Sequence, residues 1–144
     1  MPTYAFTTMK ALTQHQRERI VEKVTAIHAE EATAPRYFVQ VVFYDVGPGA
    51  MFIGGGPAPE NHVWVRADIR AGRTAEQKAA IMRRLMQDAS AILNVSTENV
   101  WIYISDIPAE GVTEFGAVLP PPGGEEKWLA SLPPALREKL RAAS

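Results

Sequence analysis

Residues 62–105 read HVWVRADIRAGRTAEQKAAIMRRLMQDASAILNVSTENVWIYIS, and the change of period along this stretch decides the fold. Val63, Val65, Ala67 and Ile69 alternate with Trp64, Arg66, Asp68 and Arg70, the two-residue period of a strand. Thr74 then opens T-x-x-Q, a capping box that satisfies the free amides of a helix start. Ile81, Met82, Leu85, Ala89 and Ile92 follow at helical spacing, and VWIYIS from Val100 is extended again. The stretch spells strand, helix, strand.

The same spelling stands upstream at a constant offset of 61 residues. Tyr4 and Phe6 alternate with smaller residues in Pro2–Thr8, a short strand. Thr13 opens the matching T-x-x-Q box, and Ile20, Val21, Val24 and Ile27 carry a helix expected to fade near Ala32 and to end by Pro35. YFVQVVFY, Tyr37 to Tyr44, is apolar on both faces and is expected to be a strand buried on both sides. Thr13 falls on Thr74, Ile20 on Ile81, Val24 on Leu85 and Pro2 on Val63. Two β-α-β units predict an α+β fold: a four-stranded mixed sheet with two helices on one face, each unit a right-handed crossover joining parallel strands. The units run about 2–44 and 62–104 within one domain of 1–144, with a tail at 120–144. GPGAMFIGGGPAP from Gly47 reads as a long loop, LPPPGG from Leu119 as a linker, and WLASL and ALREKLRAA as short terminal helices. Two helices cover one sheet face only, so apolar residues on the other predict a covering subunit.

Composition narrows the function. Fifteen Lys and Arg against sixteen Asp and Glu leave a net charge of -1, so no basic field exists for nucleic acid. No apolar run approaches the ~20 residues of a membrane span, and MPTYAFTTMK lacks a secretory pattern, which leaves the cytoplasm as the expected location. With no cysteine and three histidines outside metal-motif spacing, no metal or cofactor is expected. Gly54–Gly56 is no phosphate loop, because neither Lys-Ser/Thr nor a helix start follows it.

A few residues can carry chemistry. Pro2 follows the initiator methionine, whose removal leaves a secondary amine at the start of a strand, a fixed proton carrier. While Met1 remains, that nitrogen is an amide and carries no proton, so the active chain is expected to begin at Pro2. Arg70 and Arg73 bracket Ala71-Gly72 at a helix N-terminus, where fork geometry and the helix dipole suit a carboxylate. Taken alone they read first as a solvated basic turn. His28 lies late in the first helix on its apolar face, and Tyr103 lies in the last strand; each alone reads as a satisfied core residue. Glu114, in VTEFG, alone reads as surface.

In order and spacing these residues resemble the tautomerase superfamily, and within it the cis-3-chloroacrylic acid dehalogenase group. The resemblance runs through the proline after Met1, LT before the first helix, His28, R-x-G-R-T, W-I-Y, I-P followed by T-E-F-G, and L-P-P-P-G…W. It implies a tautomerase/MIF-like fold assembled as a homotrimer, with sites built around amino-terminal prolines. It also implies that Arg70, Arg73 and His28 hold the carboxylate of a short α,β-unsaturated acid. Glu114, helped by Tyr103, would activate water, and protonated Pro2 would deliver a proton to the α-carbon. Two rival readings remain open: a keto–enol tautomerase of 2-oxo acids with Pro2 as a neutral base, and a non-catalytic binding trimer.

Overall fold

A computed structural model describes residues 2–143, so the fate of Met1 lies outside the described residues. Strand β1 (Pro2–Thr8) leads into helix α1 (Gln14–Glu31) and strand β2 (Gln40–Asp45). After a hairpin of β3 (Phe52–Ile53) and β4 (Gly56–Pro57), the pattern recurs as β5 (Val63–Arg70), α2 (Ala75–Leu93) and β6 (Val100–Ile107). A second hairpin, β7 (Thr113–Glu114) with β8 (Ala117–Val118), precedes the terminal helices α3 (Glu125–Ser131) and α4 (Pro134–Ala142).

The sheet order is β2-β1-β5-β6. β1 and β2 are parallel, as are β5 and β6, and the two units meet antiparallel through β1 and β5. Pro2 lies opposite Ile69, Thr3 opposite Gln40, and Arg70 opposite Ile107. One end of the sheet therefore gathers the starts of β1 and β2 with the ends of β5 and β6.

Both helices begin as the sequence dictates. Thr13 accepts from the Gln16 amide while the Gln16 side chain accepts from the Thr13 amide, and Thr74 with Gln77 repeats the arrangement. Each cap is worth about 1 kcal/mol. The helices pack side by side on one sheet face, with Ile20, Val24, Ile27, Ile81, Leu85 and Ala89 buried against Tyr4, Phe6, Val65, Ala67 and Ile69. Gln77 donates through Nε2 to the Glu31 carbonyl at 2.8 Å, tying the start of α2 to the end of α1. The tail builds a second core around Phe38, Leu119, Trp128, Leu129, Leu132 and Leu140.

Three expectations change. The strand expected from Tyr37 starts only at Gln40, because Pro35 leads Arg36–Phe38 into a single 3-10 turn. As an edge strand β2 is half-buried within one chain rather than enclosed on both sides. The long loop contains the β3–β4 hairpin, which Gly54 and Gly55 turn with positive φ of 61° and 86°. The outer sheet face carries Trp64, Trp101, Tyr103 and Tyr44, the last three substantially exposed.

Candidate active site

Pro2, at the start of β1, is fully buried at the shared end of the sheet. Directly across, β5 ends at Arg70 and the chain turns through Ala71-Gly72 to Arg73 before α2 begins. Gly72 has φ +105°, and a Cβ there would stand 2.9 Å from Pro122 Cγ. Glycine is thus required twice over, for the backbone angle and for the prolines of the tail that press on the turn.

That tail separates the two arginines chemically. Arg70 is only 2% exposed: Nη1 donates to the Pro120 carbonyl at 2.7 Å, Nη2 pairs with Glu125, and the guanidinium sits 5.9 Å from the Phe38 ring centroid. Burial alone would raise the Glu125 carboxyl, but its own helix-start amide and Arg70 hold it below the usual carboxylate value. Arg70 keeps one buried unpartnered N–H, at Nε. Arg73 is 8% exposed, and both Nε and Nη1 are buried without a partner. Burial, then the Arg70 charge, pull Arg73 below its ordinary value, the direction expected of a cation lacking a counter-ion. The basic turn is enclosed, not solvated.

His28 reaches the same end from α1, 1% exposed. Its Nδ1 lies 2.8 Å from the Tyr4 hydroxyl, while Nε2 is buried and unpartnered. Burial, reinforced by Arg73 and Arg70, lowers its pKa to about 3, so it is neutral at working pH. Burial likewise raises the Tyr4 phenol, against the pull of Arg73. A buried donor left unpaired costs about 1–3 kcal/mol. Several such donors collect at one strand end, an arrangement that an anion would satisfy.

Glu114 arrives on β7, directly after β6 leaves this end of the sheet. It lines a cleft of about 480 Å³ with Thr3, Gln40, Tyr37 and Phe115, next to Pro2 in the chain and in the sheet. Burial, reinforced by Glu126 and Glu125, raises the Tyr37 phenol, which therefore stays neutral. Tyr103 stands apart. It pairs with Arg66, four residues short of the Arg70–Ile107 pair or about 13 Å along the strand, and is 51% exposed on the outer face. Within one chain the fold brings Pro2, His28, Arg70 and Arg73 to one end of the sheet, puts Glu114 in the adjoining cleft, and leaves Tyr103 outside. Sequence reasoning missed Tyr4 and Glu125. The signal for Tyr4 was a phenol two residues along the buried strand face from Pro2, whose hydroxyl needs a partner. Among the described residues no cluster of three His, Asp or Glu side chains could hold a metal ion, and no helix is long and apolar enough to cross a membrane.

Comparison with known proteins agrees with this architecture. A tautomerase family model described as "Putative oxalocrotonate tautomerase enzyme" matches residues 1–131. The crystal structure of N1, a member of the cis-3-chloroacrylic acid dehalogenase family, is 42% identical, covers 97% of this chain and 99% of its own, and superposes with a TM-score of 0.94. Native Ps01740 is 33% identical over 78% of this chain and 99% of its own, with a TM-score of 0.73. Native fused 4-OT, 22% identical over 81% of this chain and 94% of its own, shares the fold at a TM-score of 0.74. Related fused 4-OT structures are symmetric and asymmetric trimers. No curated protein matches the chain.

Proposed function

This chain belongs to the tautomerase superfamily as a homologue of the cis-3-chloroacrylic acid dehalogenase group, and on that footing we propose that it is a cofactor-independent hydratase or hydrolytic dehalogenase of short α,β-unsaturated carboxylic acids. The observation that carries the reading is the set of buried, unpartnered donors on Arg73 and His28 at the start of β1, with Glu114 in the adjoining cleft. Arg73 and His28 bind the carboxylate, and Arg70 contributes its remaining N–H. Withdrawing electron density through the carboxylate makes the β-carbon electrophilic. Glu114 takes a proton from water as the water oxygen bonds to that carbon. The secondary ammonium of Pro2 gives a proton to the α-carbon. From a cis-3-haloacrylate the adduct expels halide and a proton, leaving malonate semialdehyde. From an acetylenic acid the enol ketonises to the same product.

Assembly completes the proposal. The uncovered face with Trp101 and Tyr103, and the trimers among the fold's relatives, support a homotrimer of this chain. In it, a neighbouring copy would supply Tyr103 to a site that its own strand cannot reach. Sedimentation should give about three chain masses; a monomer with full activity would remove Tyr103 from the mechanism.

The rival tautomerase reading needs Pro2 as a free base and has no attacking water for Glu114 to activate. Assaying cis-3-chloroacrylate, an acetylenic acid and phenylenolpyruvate in parallel decides between them. Glu114→Gln should lose the water-dependent reactions and spare tautomerisation. Turnover of phenylenolpyruvate alone would overturn the hydratase reading, and no turnover of any would favour a binding trimer.

A further inference from the structure

We propose that Tyr4 is the positioning residue that locks His28 in the Nε2–H tautomer, making a buried histidine a hydrogen-bond donor of the carboxylate site. The inference rests on the reading of that site as one for a carboxylate, but its central observable does not. The Tyr4 oxygen and His28 Nδ1 lie 2.8 Å apart, buried, with the rings edge to face at 5.8 Å between centroids. Two proton arrangements fit this distance. Nδ1–H can donate to the phenol oxygen, or the phenol O–H can donate to a bare Nδ1. In the first, the Tyr4 proton needs another acceptor. Tyr4 is 1% exposed, and His28 is its hydrogen-bond partner among the described residues. The first arrangement therefore strands a buried O–H donor, whereas the second satisfies both groups. Once Nδ1 accepts, a neutral imidazole must carry its proton on Nε2.

The consequence falls on the site. Nε2 is the buried atom left without a partner, and the charges that reach the ring come from Arg73 and Arg70. The arginine charges by themselves would favour a lone pair at Nε2, so it is the Tyr4 hydrogen bond at Nδ1 that puts the proton there. An N–H there adds a neutral donor beside Arg73 Nε and Nη1, so every unpartnered group identified at this strand end donates and none accepts. Such a set discriminates a carboxylate from a neutral acid or amide without adding charge. It also prevents His28 from acting as a base toward substrate, since Nε2 already bears a proton and Tyr4 occupies the lone pair of Nδ1.

The test reads the tautomer directly. Long-range nitrogen–proton correlation on uniformly ¹⁵N-labelled protein, with His28 assigned through its loss in His28→Gln, should show a pyrrole-type Nε2 and a pyridine-type Nδ1 at neutral pH. A pyrrole-type Nδ1, or an imidazolium, would overturn the proposal. Tyr4→Phe should release the lock and populate both tautomers. Acrylate, a short unsaturated carboxylate, should then bind about five- to tenfold more weakly, the scale of one hydrogen bond. In the His28→Gln background, whose amide supplies a donor without a tautomer, adding Tyr4→Phe should change acrylate affinity less than twofold; a full further loss there would mean that Tyr4 acts only through packing. If wild-type protein shows the expected tautomer but does not bind acrylate, the carboxylate reading fails while the Tyr4 lock stands. Failure of Tyr4→Phe to fold leaves the wild-type spectrum to decide.

Discussion

The sheet has two ends made by the same construction, and only one is armed. The offset of 61 places Pro2 on Val63, Tyr4 on Val65 and His28 on Ala89, while Arg70 falls on Met9 and Arg73 on Leu12. At the opposite end β1 runs out as β5 begins, and a capped helix starts over the crevice as it does at the site. That end holds a cavity of about 220 Å³ lined by Leu12, Val63 and Leu93 together with Lys10, Glu60 and the buried His62. Its counterpart positions are apolar: Val63, Val65, Ala89 and Met9 are all buried. A strand end beside a helix N-terminus thus comes free with the fold. The chemistry comes from polar side chains placed where the other unit keeps hydrocarbon, and from collecting the buried donors of Arg70, Arg73 and His28 at one strand end.

The largest way to break the asymmetry is to block Pro2. A chain that keeps Met1, or one acetylated at Pro2, should lose about 10²- to 10⁴-fold in hydration, the usual contribution of a positioned general acid. Intact-mass spectrometry on the assayed sample checks it. A homogeneous Met1-bearing preparation hydrating at the parent rate would exclude proline as the acid.

Next come the arginines, converted to what the opposite end carries. Arg73→Leu should lower kcat/KM about ten- to a hundredfold, since a charge-assisted contact is worth about 1.5–3 kcal/mol, and should leave thermal stability level or improved. Arg70→Met should differ, because it strands the mostly buried Glu125 carboxylate; a stability loss of about 1–3 kcal/mol is expected. Equal stability in the two variants would show that the tail contact does not distinguish them.

Much of this contrast was legible in the chain. The two Thr-x-x-Gln boxes, the 61-residue offset and the alternation of Val63 to Arg70 dictate the β-α-β units, because capping and period are local properties. Pro2, His28, Arg70, Arg73 and Glu114 could be named from their order, but the placement of Pro2 beside the end of β5 depends on the antiparallel β1–β5 register, a long-range property. Arg70 pairing with Glu125, fifty-five residues away, left no local trace. The single-turn helix that delays β2 did leave one, Pro35, which the sequence reading used only as the stop of the first helix. Tyr103 shows a further limit: its distance from Pro2 reflects a sheet face that one chain leaves open.

The histidine offers a smaller test by pH. Its pKa is about 3 in the folded chain against an ordinary 6.5, so below 6.5 the unfolded chain binds a proton that the folded one refuses. The stabilising effect of a neutral His28 is therefore complete above pH 6.5 and lost as pH falls toward 3, at about 1.4 kcal/mol per unit. Between pH 6.5 and 5 this amounts to about 2 kcal/mol. Thermal melts of wild type and His28→Gln across that window should show the variant with the flatter acid limb. Ala89, at the matching position, contributes nothing of this kind. Parallel limbs would mean that His28 is protonated in the folded state, which would also end its role as a neutral donor.

The finest comparison uses the two caps. Thr13→Ala and Thr74→Ala each remove the side-chain oxygen that accepts from the third residue of a helix, Gln16 or Gln77. Both should cost about 1 kcal/mol in denaturant unfolding, because the boxes are built alike. Activity should separate them. Thr13 follows Leu12, which has no part in binding, so Thr13→Ala should keep the parent kcat/KM. Thr74 follows Arg73 directly, and its cap fixes the backbone from which the free guanidinium extends. Loosening that turn should raise KM a few-fold with kcat little changed, since loss of the cap frees the N-terminal turn without removing the cation. Equal activity in the two variants, at equal loss of stability, would mean that Arg73 is held by its burial alone and that the second capping box serves the fold without serving the site.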